Sequence, residues 1–216
     1  MNPSRSSAKD SYYPLFLDIA QKPCIVLGGG KVADRKVRML LKFGAKVKVI
    51  SPDITNDLQL LAQKGKIHIA MRRYRATDLR NASLVFAATD DEKINNRIRG
   101  DARRANVPVN VADNPDLCDF IVPSIIKKGP VVIAISTSGL LPLLSKKLRQ
   151  EMETIVTKDY IRYADTIGRF RKFIIENVED KKARREMMKK IGSMSMEELN
   201  SMGLKEIKRM FLRPRT

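Results

Sequence analysis

Short apolar runs alternate with amphipathic stretches through the first 115 residues of the chain. The run Pro23–Leu27 has the length of a buried strand, and residues 31–43 repeat apolar side chains at helical spacing, with Gly44 as the C-terminal cap. Such alternation predicts an α/β domain, a parallel sheet with helices on both faces. The other predicted elements are strands at Lys46–Ile50, Ile67–Ala70, Leu84–Ala88 and Val107–Val111 and a polar helix at Asp91–Ala105.

The alternation stops near residue 115. Two apolar runs, Phe120–Ile126 and Val131–Ile135, flank a turn at residues 127–130 and leave no room for a helix, which predicts an antiparallel hairpin. The rest of the chain is predicted to be helical, over Leu143–Val156, Asp159–Asn177, Asp180–Ile191 and short pieces to Phe211. We therefore expect a nucleotide-binding domain at 1–115, a hairpin region at 116–150 and a helical domain at 151–216.

A glycine motif lies between the first strand and the first helix. Gly28, Gly30 and Ala33 satisfy the pattern G-x-G-x-x-A in the strand–turn–helix context that the pattern requires. Gly28 permits a tight turn, Gly30 lets the backbone approach a pyrophosphate, and the helix N-terminus at Lys31 and Val32 offers N–H donors. The motif predicts a Rossmann-type dinucleotide site, and the alternative is a tight turn that binds nothing.

The end of the second strand bears on which dinucleotide is bound. Ser51 stands where an acidic residue usually contacts the ribose, and Pro52 and Asp53 follow it. No arginine follows that would hold a 2′-phosphate, so we expect NAD and not NADP. Ala88 and Thr89, after the fourth strand, are predicted to line the cofactor site or to cap the next helix.

Charge and composition narrow the class of protein. The chain has 42 basic and 24 acidic side chains, a net charge of +18, which favours a polyanionic partner. Aromatic residues make up only 6% and no nucleic-acid motif is present, so a nucleic-acid binder ranks last. A single histidine argues against a classical zinc site. Because no 18 consecutive residues are apolar and the N-terminus lacks a hydrophobic segment, we expect neither a membrane span nor a signal peptide.

Taken together, the motifs resemble the siroheme-synthase family of precorrin-2 dehydrogenases, some of which are also sirohydrochlorin ferrochelatases. The resemblance covers about residues 11–155. It is carried by Tyr13–Asp18, Gly28–Lys36, Ala87–Asp91, Val109–Asp113, Asp119–Pro123 and Ile135–Gly139 before Pro142.

The resemblance implies NAD-dependent oxidation of precorrin-2, a polycarboxylate tetrapyrrole, by a cytoplasmic homodimer that uses its hairpin region for assembly. It identifies Asp113, after the fifth strand, as the catalytic aspartate, and this residue type can serve as a general base. Taken alone, an aspartate there is more often a turn or cap residue. The predicted substrate-binding residues are Asn110, Ser136, Thr137, Ser138 and Gly139.

Two other functions stay open on the sequence alone. One is added ferrochelatase activity at the same site, which the residues do not decide. The other is a non-catalytic module that binds NAD and regulates a partner. Such a regulator would need neither Asp113 nor the polar turn at residues 136–139.

Overall fold

A computed structural model describes residues 12–212. Its strands are β1 Pro23–Leu27, β2 Lys46–Ser51, β3 Ile67–Met71, β4 Leu84–Ala87, β5 Val109–Val111, β6 Ser124–Lys128 and β7 Val131–Ile135. Its α-helices are α1 Lys31–Lys42, α2 Asn56–Gln63, α3 Glu92–Ala105, α4 Pro142–Ile155, α5 Lys158–Asn177, α6 Lys181–Gly192, α7 Met196–Ser201 and α8 Leu204–Leu212.

The first five strands form the predicted parallel sheet, in the order β3-β2-β1-β4-β5. The chain builds outward from β1 to β3 and then returns to the other side of β1 to add β4 and β5. The direction of growth therefore reverses between β1 and β4. In doubly wound sheets, the carboxyl ends of the strands at such a reversal are where ligands bind.

Both faces of this sheet are covered, because side chains alternate along each buried strand. Cys24 and Val26 of β1 face one core, which they share with Val37 and Leu40 of α1 and with α2. Ile25 and Leu27 face the opposite core, which α3 covers with Ile98 and Ala102. The strands read as continuous apolar runs because both faces are buried.

A second compact unit begins at Pro123, after a first unit that ends at Val122. In it, β6 and β7 form the predicted antiparallel hairpin, with Ser124 opposite Ile135. The helices from α5 to α8 bury a separate core around Phe170 and Ile174 of α5. Hairpin and helices thus fall in one compact unit, and the three functional regions expected at 1–115, 116–150 and 151–216 stay a prediction.

Some element boundaries differ from the predicted ones. The helix α2 was not predicted. The ladder of β5 begins at Val109, because Pro108 has no N–H to donate. The first hairpin strand begins at Ser124, since Phe120 and Val122 pack instead against the α1 side of the first unit's core. Within residues 12–212, no helix has the length and apolar character that crossing a membrane requires.

Candidate active site

The turns that follow β1 and β4 meet at the reversal point of the sheet. Gly28 has a φ of +117°, and a Cβ atom there would lie 2.1 Å from the carbonyl oxygen of Ala88. The Ala88 amide in turn donates to the carbonyl of Leu27 at 2.7 Å. Gly28 is therefore fixed both by its backbone conformation and by the approach of the second turn. The tight turn predicted at Gly28 is confirmed.

The loop after β2 is held against the same glycine turn. The Thr55 amide donates to the carbonyl of Gly29 at 3.0 Å, and a Cβ at Gly29 would meet the carbonyl of Asp53 at 1.8 Å. This packing brings Ser51, Pro52 and Asp53 to the edge that the motif occupies. Ser51 is buried at the end of β2, whereas Pro52 and Asp53 are exposed.

Gly30 differs from the two glycines before it. Its φ of −83° suits any residue, and a Cβ there would meet nothing within 4 Å. Gly30 is the N-cap of α1, and as a glycine it has no side chain with which to cap the helix. Ala33, one turn later, is fully buried, so the helix packs closely on the sheet. Open space, uncapped N–H donors and the positive end of the helix dipole fit a pyrophosphate.

An open cleft of about 500 Å³ adjoins the start of α1 and is lined by Lys31, Asp34, Arg35, Thr55 and Asp57. Lys31 is exposed and Val32 half-buried at the first two helical positions. The residues predicted to hold the phosphates are thus at an accessible helix end. An NAD bound there would lie along the turns that follow β1, β2 and β4.

The turn after β4 is held by an asparagine that the sequence analysis did not single out. The Thr89 hydroxyl donates to Oδ1 of Asn95 at 2.7 Å, and Nδ2 of Asn95 donates to the Thr89 carbonyl at 2.9 Å. Asp91 is the N-cap of α3 and accepts from the amide of Ile94. Ala88 and Thr89 therefore keep their position without capping the helix. The feature of the sequence that could have identified Asn95 is its position, as a polar residue, on the buried face of α3.

Asp113 follows β5 at the carboxyl edge of the sheet, two residues after the strand ends. Its side chain is exposed, and its φ of +58° lies in the left-handed region. Asp and Asn occupy that region more readily than other side chains, apart from Gly. The turn thus exposes a carboxylate to solvent at the carboxyl edge of the sheet, the edge at which the glycine turn also lies.

Asn110 lies inside β5, and its side chain is used within the protein. Its Nδ2 donates to the carbonyl of Phe120 at 3.0 Å and to Sγ of Cys118 at 3.4 Å. The Cys118 sulfur also accepts from the Val111 amide at 3.2 Å. These bonds tie the segment after Asp113 along the free edge of β5. A substrate contact by Asn110 stays a prediction beside this observed role.

The polar turn at 136–139 belongs to the second unit. The Ser138 amide donates to Oγ of Ser136 at 3.0 Å, and the Leu141 amide donates to Oγ1 of Thr137 at 3.2 Å. Ser138 and Gly139 have φ values of +53° and +84°. The hydroxyl oxygens of Ser136 and Thr137 thus accept from the backbone while their own protons are left to donate. In the described part of the chain no side chain caps α4, which begins three residues after Gly139.

Metal ligands are not grouped in the part of the chain that the structure describes. There, no three His, Cys, Asp or Glu side chains come together in a way that could hold a metal ion. Cys24 and Cys118 are not joined by a disulfide bond, and burial raises the pKa of Cys24 to about 11.

The comparison with known families supports the dinucleotide site. The sequence profile of a family described as putative NAD(P)-binding matches residues 15–124. This range includes the glycine turn, the loop after β2, the turn after β4, and Asp113.

Curated relatives are similar over most of this chain. The siroheme synthase of Nitrosomonas europaea is 42% identical over 161 residues, 74% of this chain and 34% of the relative. That of Nitrosospira multiformis is 46% identical over 165 residues, 74% of this chain and 35% of the relative. That of Nitrosococcus oceani is 41% identical over 187 residues, 87% of this chain and 40% of the relative. The chain thus spans between a third and two fifths of the length of these relatives.

A solved structure shares the fold. The structure of "SirC, precorrin-2 dehydrogenase" has a TM-score of 0.73 and 22% sequence identity, and the match covers 93% of this chain and 98% of that one. The combination of a parallel sheet, a β-hairpin and a helical region is therefore a known architecture, and the predicted fold class is confirmed.

Proposed function

Since this chain belongs to the putative NAD(P)-binding family and is similar to siroheme synthases, we propose that it oxidises precorrin-2 to sirohydrochlorin with NAD. The observation that carries the proposal is the position of Asp113. An exposed carboxylate follows β5 at the same sheet edge where the glycine turn offers an open, uncapped helix end. A cofactor site and a candidate base therefore share one edge.

The protein's own groups divide the work of the reaction. The oxidation removes a hydride and a proton from the macrocycle, and the nicotinamide, when bound, is the hydride acceptor. The carboxylate of Asp113 takes the proton as general base. Because this side chain is exposed, it returns the proton to solvent and is ready for the next turnover. The turns at Gly28–Gly30 and Ala88–Thr89 orient the dinucleotide.

Substrate binding in this proposal rests on charge and on hydroxyl donors. The net charge of +18 attracts a polycarboxylate over long range. Ser136 and Thr137 have hydroxyl protons to donate, and the uncapped start of α4 favours an anion. We assign this turn to one or more carboxylates of the macrocycle.

A homodimer is the assembly that we propose, together with a cytoplasmic location. The hairpin is a two-stranded sheet, and among residues 12–212 neither β6 nor β7 pairs with a further strand on its outer edge. Beside it in the sequence, large apolar side chains are exposed on the turn and first half of α4, namely Leu140, Leu141, Leu143, Leu144 and Leu148. Exposed strand edges and a cluster of leucines are features that association with a second copy would cover.

The experiment is a turnover assay on the purified chain with precorrin-2 and NAD⁺, followed through the absorbance of NADH and of sirohydrochlorin. We expect both products to form at equal rates. NAD binding without turnover would contradict the dehydrogenase and favour the NAD-sensing regulator. Parallel reactions with Fe²⁺ or Co²⁺ test chelation, which would appear as loss of the metal-free sirohydrochlorin spectrum.

A further inference from the structure

A lysine of the first helix, Lys36, lies near the aromatic pair that joins β4 to the segment after Asp113. Lys36 is half-buried on α1, and its Nζ lies 5.6 Å from the centroid of the Phe86 ring. Phe86 is on β4 and packs edge-on against Phe120, with ring centroids 5.5 Å apart. The ammonium of Lys36 therefore lies among β4, α1 and the segment that follows Asp113.

The charge of Lys36 is poorly balanced by the protein. Burial lowers the pKa of Lys36, and the neighbouring Arg35 lowers it further, while Cys118 and Asp113 act in the opposite direction. In residues 12–212, Lys36 makes no ion pair with a carboxylate. Arg38, on the same helix, is by contrast paired with Asp34 at 2.8 Å. Lys36 is thus a half-buried cation that lies near an aromatic ring and, among the described residues, has no carboxylate within ion-pair distance.

A cation in this position suits an anionic group on a ligand that reaches Asp113. A carboxylate would supply the missing counter-charge, and a charge-assisted hydrogen bond in a partly desolvated site is stronger than one in open water. The aromatic face of Phe86 compensates only part of the charge, since an ammonium 5.6 Å from a ring interacts weakly with it.

We propose that Lys36 is a substrate-binding residue whose ammonium takes one carboxylate of the tetrapyrrole beside Asp113. This inference rests on the proposed function for the identity of the substrate. Lys36 thereby fixes the macrocycle relative to the base that removes its proton.

The test uses two substitutions of Lys36 and one matched control. Lys36→Met keeps most of the apolar stem against Phe86 and removes the charge, whereas Lys36→Arg keeps the charge. Lys46→Met removes the same charge from an exposed lysine at the amino end of β2, the opposite edge of the sheet from the site. Each purified variant is titrated with NAD⁺ and with uroporphyrin, a stable polycarboxylate tetrapyrrole, and is assayed for KM and kcat with precorrin-2.

We expect Lys36→Met to bind uroporphyrin about tenfold more weakly or worse, the effect of losing one charge-assisted hydrogen bond. The KM for precorrin-2 should rise by a similar factor, while the affinity for NAD⁺ stays that of the wild type. Lys36→Arg should recover most of the affinity, and Lys46→Met should match the wild type.

Equal uroporphyrin affinity in Lys36→Met and Lys46→Met would overturn the inference. So would an equal loss of NAD⁺ affinity, since Lys36 would then serve the dinucleotide or the fold. The proposed function fails separately, if the wild type binds uroporphyrin and NAD⁺ but does not oxidise precorrin-2. A wild type that binds no polycarboxylate tetrapyrrole contradicts both.

Discussion

The glycines of the first turn have different physical reasons for being glycine. At Gly28 the left-handed backbone and the carbonyl of Ala88 leave no place for a side chain. At Gly30 neither constraint applies, because the backbone is ordinary and the space beyond it is open. Folding therefore explains Gly28, whereas Gly30 is explained by a ligand that needs the space.

Substitutions at Gly30 separate cofactor binding from folding. Gly30→Asp should fold normally, because its Cβ meets no atom, yet it should abolish measurable NAD binding by placing a carboxylate against the pyrophosphate. Calorimetric titration with NAD⁺ and NADP⁺, with thermal unfolding as the check on the fold, measures both effects. Undiminished NAD affinity in Gly30→Asp would show that the phosphates lie elsewhere.

Two controls sharpen this experiment. Gly30→Ala adds bulk without charge and should weaken NAD binding less than Gly30→Asp does. Gly28→Ala should instead destabilise the fold, since its Cβ would overlap the Ala88 carbonyl. In the wild type, NAD should bind more tightly than NADP, because Ser51 and Asp53 offer no positive charge to a 2′-phosphate.

Individual site residues were predictable only where backbone geometry demands the residue type. The turn at Gly28 was predicted because few residues other than glycine fit it. Thr89 and Asn110 were predicted from polarity at strand ends, and polarity does not tell a ligand contact from an internal hydrogen bond. Both side chains bond to neighbouring segments of the protein. Lys36 was not predicted as a site residue because its aromatic neighbour, Phe86, is distant in sequence.

At the scale of elements, a buried carboxylate joins the connection between β3 and β4 to the sheet. Asp78 accepts two hydrogen bonds from Arg72, at 2.8 and 2.5 Å, and one from the amide of Arg75 at 2.9 Å. Lys48 of β2 lies 4.0 Å away. The hydrogen bonds from Arg72 are the main reason that the pKa of Asp78 is lowered from its usual 3.8, with burial acting in the opposite direction.

Asp78 should therefore stabilise the protein at neutral pH and lose this effect in acid. Its folded pKa is below its unfolded one, so the contribution is complete above about pH 4 and disappears as the pH falls through the folded pKa. Asp78→Asn should lower the free energy of unfolding by about 1.5–3 kcal/mol near pH 7, the range for hydrogen bonds to charged groups. Urea unfolding at neutral and acid pH should show the gap between wild type and variant closing below about pH 4.

Asp57→Asn is the matched control, because its carboxylate is exposed and lies 3.6 Å from Arg38. It should change the stability little at either pH. If the free energy of unfolding of the wild type and of Asp78→Asn changes with pH in the same way, Asp78 is not the group whose protonation destabilises the protein in acid.

Apolar content made the strands predictable. The strands of the first unit are near-continuous apolar runs, and each was found within a few residues. The helix α2 was missed because it has only eight residues, of which only Leu58 is fully buried. The shift of the first hairpin strand reflects tertiary packing of Phe120, which no local pattern records.

The whole molecule combines a dinucleotide-binding unit with a second unit whose hairpin and first helix expose apolar surface. This division into two compact units was not evident in the sequence, where the hairpin reads as a region of its own. The helices that form the core of this unit were predicted from the sequence. Its methionines Met187, Met188, Met194 and Met202 pack against it, as expected for adaptable filler.

The proposed homodimer makes a prediction about mass. Light scattering at micromolar concentration should give twice the 24.5 kDa of one chain. Leu143→Asp, at a side chain that is 76% exposed, should shift the mass toward one chain because it places a charge in the proposed interface. Leu60→Asp, on α2 of the first unit, should not. A wild-type mass of one chain would contradict the dimer.

The central claim is that Asp113 removes the proton when precorrin-2 is oxidised, and Asp113→Asn tests it most directly. Asparagine tolerates the left-handed backbone found there, so the turn is kept, whereas alanine would add strain of about 1–2 kcal/mol. The amide cannot accept a proton at neutral pH. The measurement is the initial rate of precorrin-2 oxidation at saturating NAD⁺, with the NAD affinity of both proteins measured alongside. We predict a rate about 10²–10⁴-fold below that of the wild type, with unchanged NAD affinity, and an Asn variant that oxidises precorrin-2 near the wild-type rate would contradict the claim.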